Sequence, residues 1–124
     1  MSVYRERIID HYRNPRNQGT LDDADISAEL DNPTCGDVVR IDVRLKEGRV
    51  AKARFSGRGC VLAIAGASML TEAITGKTLP ELETLSDSDV RALMGLELGS
   101  VREKCALLAY HTLQAGLAAR KPGP

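Results

Sequence analysis

The chain has 124 residues, 43% of them apolar and 27% charged, and its 17 basic residues balance its 17 acidic ones. That suits one domain, 1–124, with a real core, and the zero net charge, single Phe, three Tyr and absent Trp leave no basic footprint or stacking platform for nucleic acid. With no apolar run of membrane-spanning length and no export signal, the expectation is no membrane, a cytoplasmic location and reduced thiols.

Val3 to Tyr12 carries apolar residues at roughly helical spacing, and NPRNQG, with Pro15 and Gly19, stops that helix. Residues 20–25 read as loop and Ile26 to Leu30 as a first strand. Val39, Ile41, Val43 and Leu45 then alternate with Arg40, Asp42 and Arg44, which predicts a strand with one core face and one wet face. Glu47-Gly48 turns the chain, and Ala51, Ala53 and Phe55 resume the alternation in an antiparallel hairpin. A sheet with one solvated face needs helices on the other.

Gly57 and Gly59 open a loop, after which Val61 to Ile74 is apolar or small almost throughout, the pattern of a buried helix that Gly76 ends. Thr78-Leu79-Pro80-Glu81 and Ser86-Asp87-Ser88-Asp89 each place an acid three residues after a hydroxyl, as helix starts do. Ser100-Val101-Arg102-Glu103 repeats the signal and predicts a final helix through CALLAYHTLQAGLAAR, followed by a frayed KPGP tail. No repeat or linker interrupts this order. Helix, two or three strands, then helices reads as α+β, a small antiparallel sheet of about three strands packed against an N-terminal helix and several C-terminal ones.

Three cysteines cannot complete a disulfide framework within one chain, so they read as ligands, nucleophiles or packing. Cys35 sits in NPTCGD, where Pro33 and Gly36 make a turn that displays its thiol. Cys60 opens the buried helix, where the helix dipole favours thiolate, and Cys105 lies beside Lys104, whose charge is expected to do the same. Cys60 and Cys105 also suit plain core positions, since free cysteine is often buried. No Cys-x-x-Cys pair occurs, and the spacings from Cys35 to Cys60 and on to Cys105 match no generic zinc finger. Asp37 is the one carboxylate next to a cysteine turn. Three thiolates and that carboxylate would suit tetrahedral zinc or iron, and Asp37 is equally able to be a turn-stabilising residue. His11 reads as packing or a hydrogen bond, His111 as lying on a different helical face from Cys105, and Met69 as core. The charges from Lys46 to Lys52 read as a solvated hairpin face.

NPTCGD with Cys35 and Asp37, GRGCVLAIAGASM around Cys60, VREKCALLAYHTL around Cys105 and the opening YRERIIDHYRNPRNQG resemble the iron–sulfur assembly proteins IscU and SufU and the N-terminal domain of NifU. The resemblance runs through essentially the whole chain. It implies a protein that accepts persulfide sulfur from a cysteine desulfurase, with Cys35, Asp37, Cys60 and Cys105 as metal ligands and Cys105 as the candidate sulfur acceptor. In the scaffold branch a [2Fe–2S] cluster is built on Cys35, Cys60 and Cys105 and passed to apo iron–sulfur acceptors, with Asp37 keeping it releasable. In the SufU branch the same positions hold zinc, and the partner is a desulfurase of the SufS type.

Two departures from the IscU pattern point to SufU. Lys104 stands where IscU proteins carry His, and LELGSVREK replaces their Leu-Pro-Pro-Val-Lys stretch. The SufU pattern, however, has an insertion between the second and third cysteines that this chain lacks, so it is SufU-like in motif and IscU-like in length. A rival of another class is a structural zinc module that only mediates protein contacts. A redox protein using a cysteine pair is disfavoured, because no two cysteines are neighbours in sequence.

Overall fold

The structure, a computed structural model, describes residues 3–33, 35–96 and 103–120. The first helix, α1 (Val3–Arg13), ends one residue beyond the expected Tyr12 and just before Pro15. It buries His11 and packs on the long central helix. The expected first strand is longer than its apolar residues suggest, β1 running Ile26–Asn32, and is followed by β2 (Asp37–Lys46) and β3 (Arg49–Arg58). The three form an antiparallel sheet in chain order, with Ile26 opposite Val43, Asn32 opposite Asp37 and Ile41 opposite Phe55.

Two details of the hairpin differ from its simple alternation. Arg44 pairs with Lys52 but Leu45 with Val50, so Ala51 is an extra residue in a bulge. One extra residue flips the faces on either side of it. Val50, Ala53 and Phe55 therefore point into the core, and Ala51 is exposed. Asp42, expected on the wet face, is buried. The chain after α1 folds over it: the Leu21 N–H donates to Oδ2 at 3.2 Å, the Ser27 hydroxyl to Oδ1 at 2.6 Å, and Arg40 Nε lies 3.1 Å from Oδ1. A buried carboxylate is tolerable when its lone pairs are met in this way.

The central helix α2 (Val61–Ile74) is buried on nearly all sides, as its composition requires, with Gly76 just past its end. Thr78 and Ser86 each close a full capping box, starting α3 (Leu79–Glu83) and α4 (Asp87–Met94) where the acids three residues on predicted. Gly95 ends α4 in the left-handed conformation. The last predicted helix is broken into α5 (Glu103–Ala106) and α6 (Leu108–Ala119), with Leu107 between them. The expected cap at Ser100 and the KPGP tail lie outside the described residues. α6 covers β1 and β2, α2 covers β3, and α5 packs on α2. The result is the expected α+β arrangement, its core of Phe55, Ile41, Met69, Leu70 and Leu113 lying between sheet and helices. Among the described residues no helix is long and apolar enough to cross a membrane.

Candidate metal centre

The site forms where the β1–β2 turn, the start of α2 and the short α5 meet. The Asn32 carbonyl accepts from the N–H groups of Cys35 (3.1 Å) and Gly36 (2.9 Å), and Gly36 adopts φ 73°, so the turn closes tightly and leaves Cys35 exposed. One residue further, Asp37 starts β2 and is fully buried. Its Oδ1 accepts from the Cys60 N–H at 2.9 Å, and its Oδ2 lies 4.0 Å from Cys60 Sγ. Cys60 is the residue that caps α2, in extended conformation, half-buried. Cys105, on α5, is 3% exposed and its Sγ lies 3.2 Å from Cys35 Sγ.

The ligand atoms of Cys35, Asp37 and Cys105 all lie within 4.8 Å of one another. Cys60 joins them through Asp37, since its backbone holds one carboxylate oxygen and its sulfur faces the other. The sequence thus identified four residues that the fold brings to one place, with Cys60 slightly apart. Sulfur donors with one carboxylate fit zinc or iron, and do not fit calcium or magnesium, which take oxygen throughout.

One electrostatic expectation is corrected. Lys104 is exposed, and the thiol beside it is not lowered: burial pushes Cys105 well above the ordinary thiol range, and Cys35, Asp37 and Cys60 push it further. Removing a charge from water outweighs a cation that itself stays in water. His11, by contrast, does what was expected. Its Nδ1 lies 2.7 Å from Ser68 Oγ, which also accepts the Arg16 N–H at 2.8 Å. His111 faces Asp87 on the surface at 3.8 Å, and Met69 is core.

Three further residues shape the site, and the cysteine motifs did not single them out. Asn32 directs its Nδ2 donor to Cys105 Sγ at 3.8 Å while its carbonyl builds the Cys35 turn. A Cβ on Gly59 would lie 2.5 Å from Asp37 Oδ1, so only glycine lets the carboxylate pass under the Cys60 loop. A Cβ on Gly66 would lie 2.7 Å from the Ala106 carbonyl oxygen, so the absence of a side chain there lets α5, and Cys105 with it, sit against α2. Asn32 and Gly59 each stand a few residues from a cysteine in the quoted motifs. Gly66 carries no local signal, because its reason is a tertiary contact.

Fold and site together define a small α+β protein with a cysteine–aspartate centre shared between a sheet turn and two helices. The chain belongs to the family of the NifU-like N-terminal domain, whose model matches residues 3–121, as the motifs around the three cysteines had implied. It is 38% identical to the zinc-dependent sulfurtransferase SufU of Bacillus subtilis, over 98% of this chain and 94% of that protein. It is also 38% identical to the iron–sulfur cluster assembly scaffold protein IscU of Escherichia coli strain K12, over 94% of this chain and 92% of that one. The first alignment extends over 139 positions, more than this chain possesses, and the second over 120, so SufU carries a long stretch of extra residues within the matched region and IscU only a few. Among solved structures, that of a hypothetical protein, 27% identical, superposes with a TM-score of 0.75 over 94% of this chain and 97% of its own.

Proposed function

We propose that this protein, one domain over residues 1–124, serves iron–sulfur cluster assembly as a sulfur acceptor. It takes persulfide sulfur from a cysteine desulfurase of the SufS type in the cytoplasm and passes it towards apo iron–sulfur proteins. Cys35, Asp37, Cys60 and Cys105 hold zinc, and Cys105 carries the sulfur. The observation that carries this reading is the convergence of the Cys35, Asp37 and Cys105 ligand atoms within 4.8 Å, with Cys60 on the Asp37 carboxylate.

The step is thiol exchange at sulfur. The Cys105 thiolate attacks the outer sulfur of the desulfurase persulfide, and the desulfurase thiolate leaves, so one S–S bond forms as another breaks and no electrons are lost. Burial alone keeps Cys105 protonated, which works against attack. Zinc, when bound, supplies the positive charge that keeps the ligand thiols deprotonated at neutral pH. The Asn32 amide offers its N–H to the Cys105 sulfur, and the Cys60 N–H fixes Asp37 with one oxygen free for the metal.

A second reading is that of a scaffold on which a transient [2Fe–2S] cluster is built. The 120-position match to IscU, which lacks the long insertion of the SufU match, favours it. To separate the two, the protein is purified without chelators, its metal measured, and a cysteine desulfurase with cysteine added anaerobically. Persulfide at Cys105 in early-quenched samples, faster desulfurase turnover and no iron chromophore support the sulfur acceptor. A [2Fe–2S] spectrum that transfers to an apo-acceptor supports the scaffold. Bound metal with neither sulfur uptake nor cluster leaves only a structural zinc module.

A further inference from the structure

A sequence separation of 70 residues made a cysteine pair look remote, yet Cys35 and Cys105 hold their sulfurs 3.2 Å apart. That is the spacing of reacting atoms in a near-attack arrangement, about 3–3.5 Å. We propose that Cys35 is a resolving thiol, which reduces the sulfur carried by Cys105 to sulfide. The inference rests on the sulfur-acceptor reading and extends it to a second step.

In that step the Cys35 thiolate attacks the inner sulfur of the Cys105 persulfide, the atom it already faces. A Cys35–Cys105 disulfide forms in place of any bonds these two sulfurs made to metal, the persulfide bond breaks, and hydrosulfide leaves with the bonding pair. The two cysteines are oxidised by two electrons, and the carried sulfur is reduced by two, to the oxidation state of the bridging sulfides in a cluster. An external dithiol or low-molecular-weight thiol then reduces the disulfide and restores both thiols. Attack at the inner sulfur is favoured on two counts. Hydrosulfide is a better leaving group than an alkyl thiolate, because the more acidic thiol leaves faster. Attack on the outer sulfur would need the two Sγ atoms to move apart, so that three sulfurs lie in line.

The surroundings assign the partners. Cys35 is exposed, so the reductant reaches the disulfide from solvent, whereas Cys105 is buried behind it. Cys60 is the poorer partner: it stands outside the group of Cys35, Asp37 and Cys105 atoms that lie within 4.8 Å of one another, and its sulfur faces Asp37. The Asn32 amide also donates to the Cys105 sulfur, at 3.8 Å.

The test uses reduced, gel-filtered protein with a SufS-type desulfurase and limiting cysteine, without added thiol. Sulfide is measured colorimetrically, and the cysteines are mapped by mass spectrometry after alkylation. The expected result is sulfide release matched by a Cys35–Cys105 linked peptide, with further release on adding dithiothreitol. In Cys35→Ser, sulfur is expected to stay on Cys105 as persulfide, and sulfide release to fall about tenfold or more as the near-attack thiol is lost. Persulfide that persists on the wild-type protein without sulfide, or a disulfide that joins Cys60 instead, overturns the resolving step alone. If no sulfur reaches the wild-type protein, the acceptor reading fails and this step falls with it. The wild-type mapping decides the matter even if the variant folds poorly.

Discussion

Gly59→Ala tests how the site is held, because the residue touches no proposed metal and carries no side chain of its own. Its new methyl carbon would lie 2.5 Å from Asp37 Oδ1 and 3.0 Å from Asp37 Cβ and Cγ. Asp37 is fully buried and its Oδ1 is held by the Cys60 N–H, so the carboxylate must turn out of that hydrogen bond. A hydrogen bond to a charged group contributes about 1.5–3 kcal/mol. At about 1.4 kcal/mol per factor of ten, zinc affinity should fall roughly 10- to 100-fold, the range common for residues that orient ligands. The assay is competition for zinc with a chromophoric chelator, in parallel with urea unfolding. Gly48→Ala is the control: at φ 76° with open space around it, it costs about 1–2 kcal/mol of backbone strain and leaves the site alone. If Gly59→Ala binds zinc as tightly as Gly48→Ala does, the clamping of Asp37 is refuted.

The two buried acids of β2 should separate cleanly. Asp42→Ala strands the Ser27 hydroxyl and the Leu21 N–H, and should lower stability in urea by about 1–3 kcal/mol without altering zinc affinity; a loss of zinc binding in this variant would show that the two acids are not independent. His11 gives the pH dependence. Burial, and then the charge of Arg16, hold its pKa below the ordinary 6.5, so the unfolded chain takes up the proton first. The stability it contributes is complete above about pH 6.5 and is lost as pH falls through the folded value. Urea midpoints between pH 7.5 and 5.5, within reach of an ordinary histidine, should drop more for the wild type than for His11→Gln, and equal drops would acquit His11.

Much of this molecule was legible because its signals are local. The capping boxes at Thr78 and Ser86, the glycine past Ile74 and the displayed Cys35 all depend on residues within a turn or so of each other. What escaped was tertiary. The bulge at Ala51 is invisible to a period-two count, which gives the same alternation whether or not a residue is extra. Asp42 looks wet by alternation and is dry because residues 21 to 27 fold over it. Lys104 was expected to govern its neighbour's charge, but depth below the surface governs it instead. The cysteine motifs fixed which residues meet, while the 3.2 Å contact between Cys35 and Cys105 depends on Gly66, a position with no chemistry in its side chain.

The residues of the centre come from a strand turn, the head of the central helix and a four-residue helix, each in a different part of the architecture. Whatever all of them grip becomes a clasp fastening sheet to helices. By mass action, the free energy of holding that cargo is also free energy of folding. Handing it on would therefore slacken the frame that carried it, with α5 and the start of α2 the first to feel the difference. In such a molecule readiness to deliver and firmness of structure trade against each other through a single buckle.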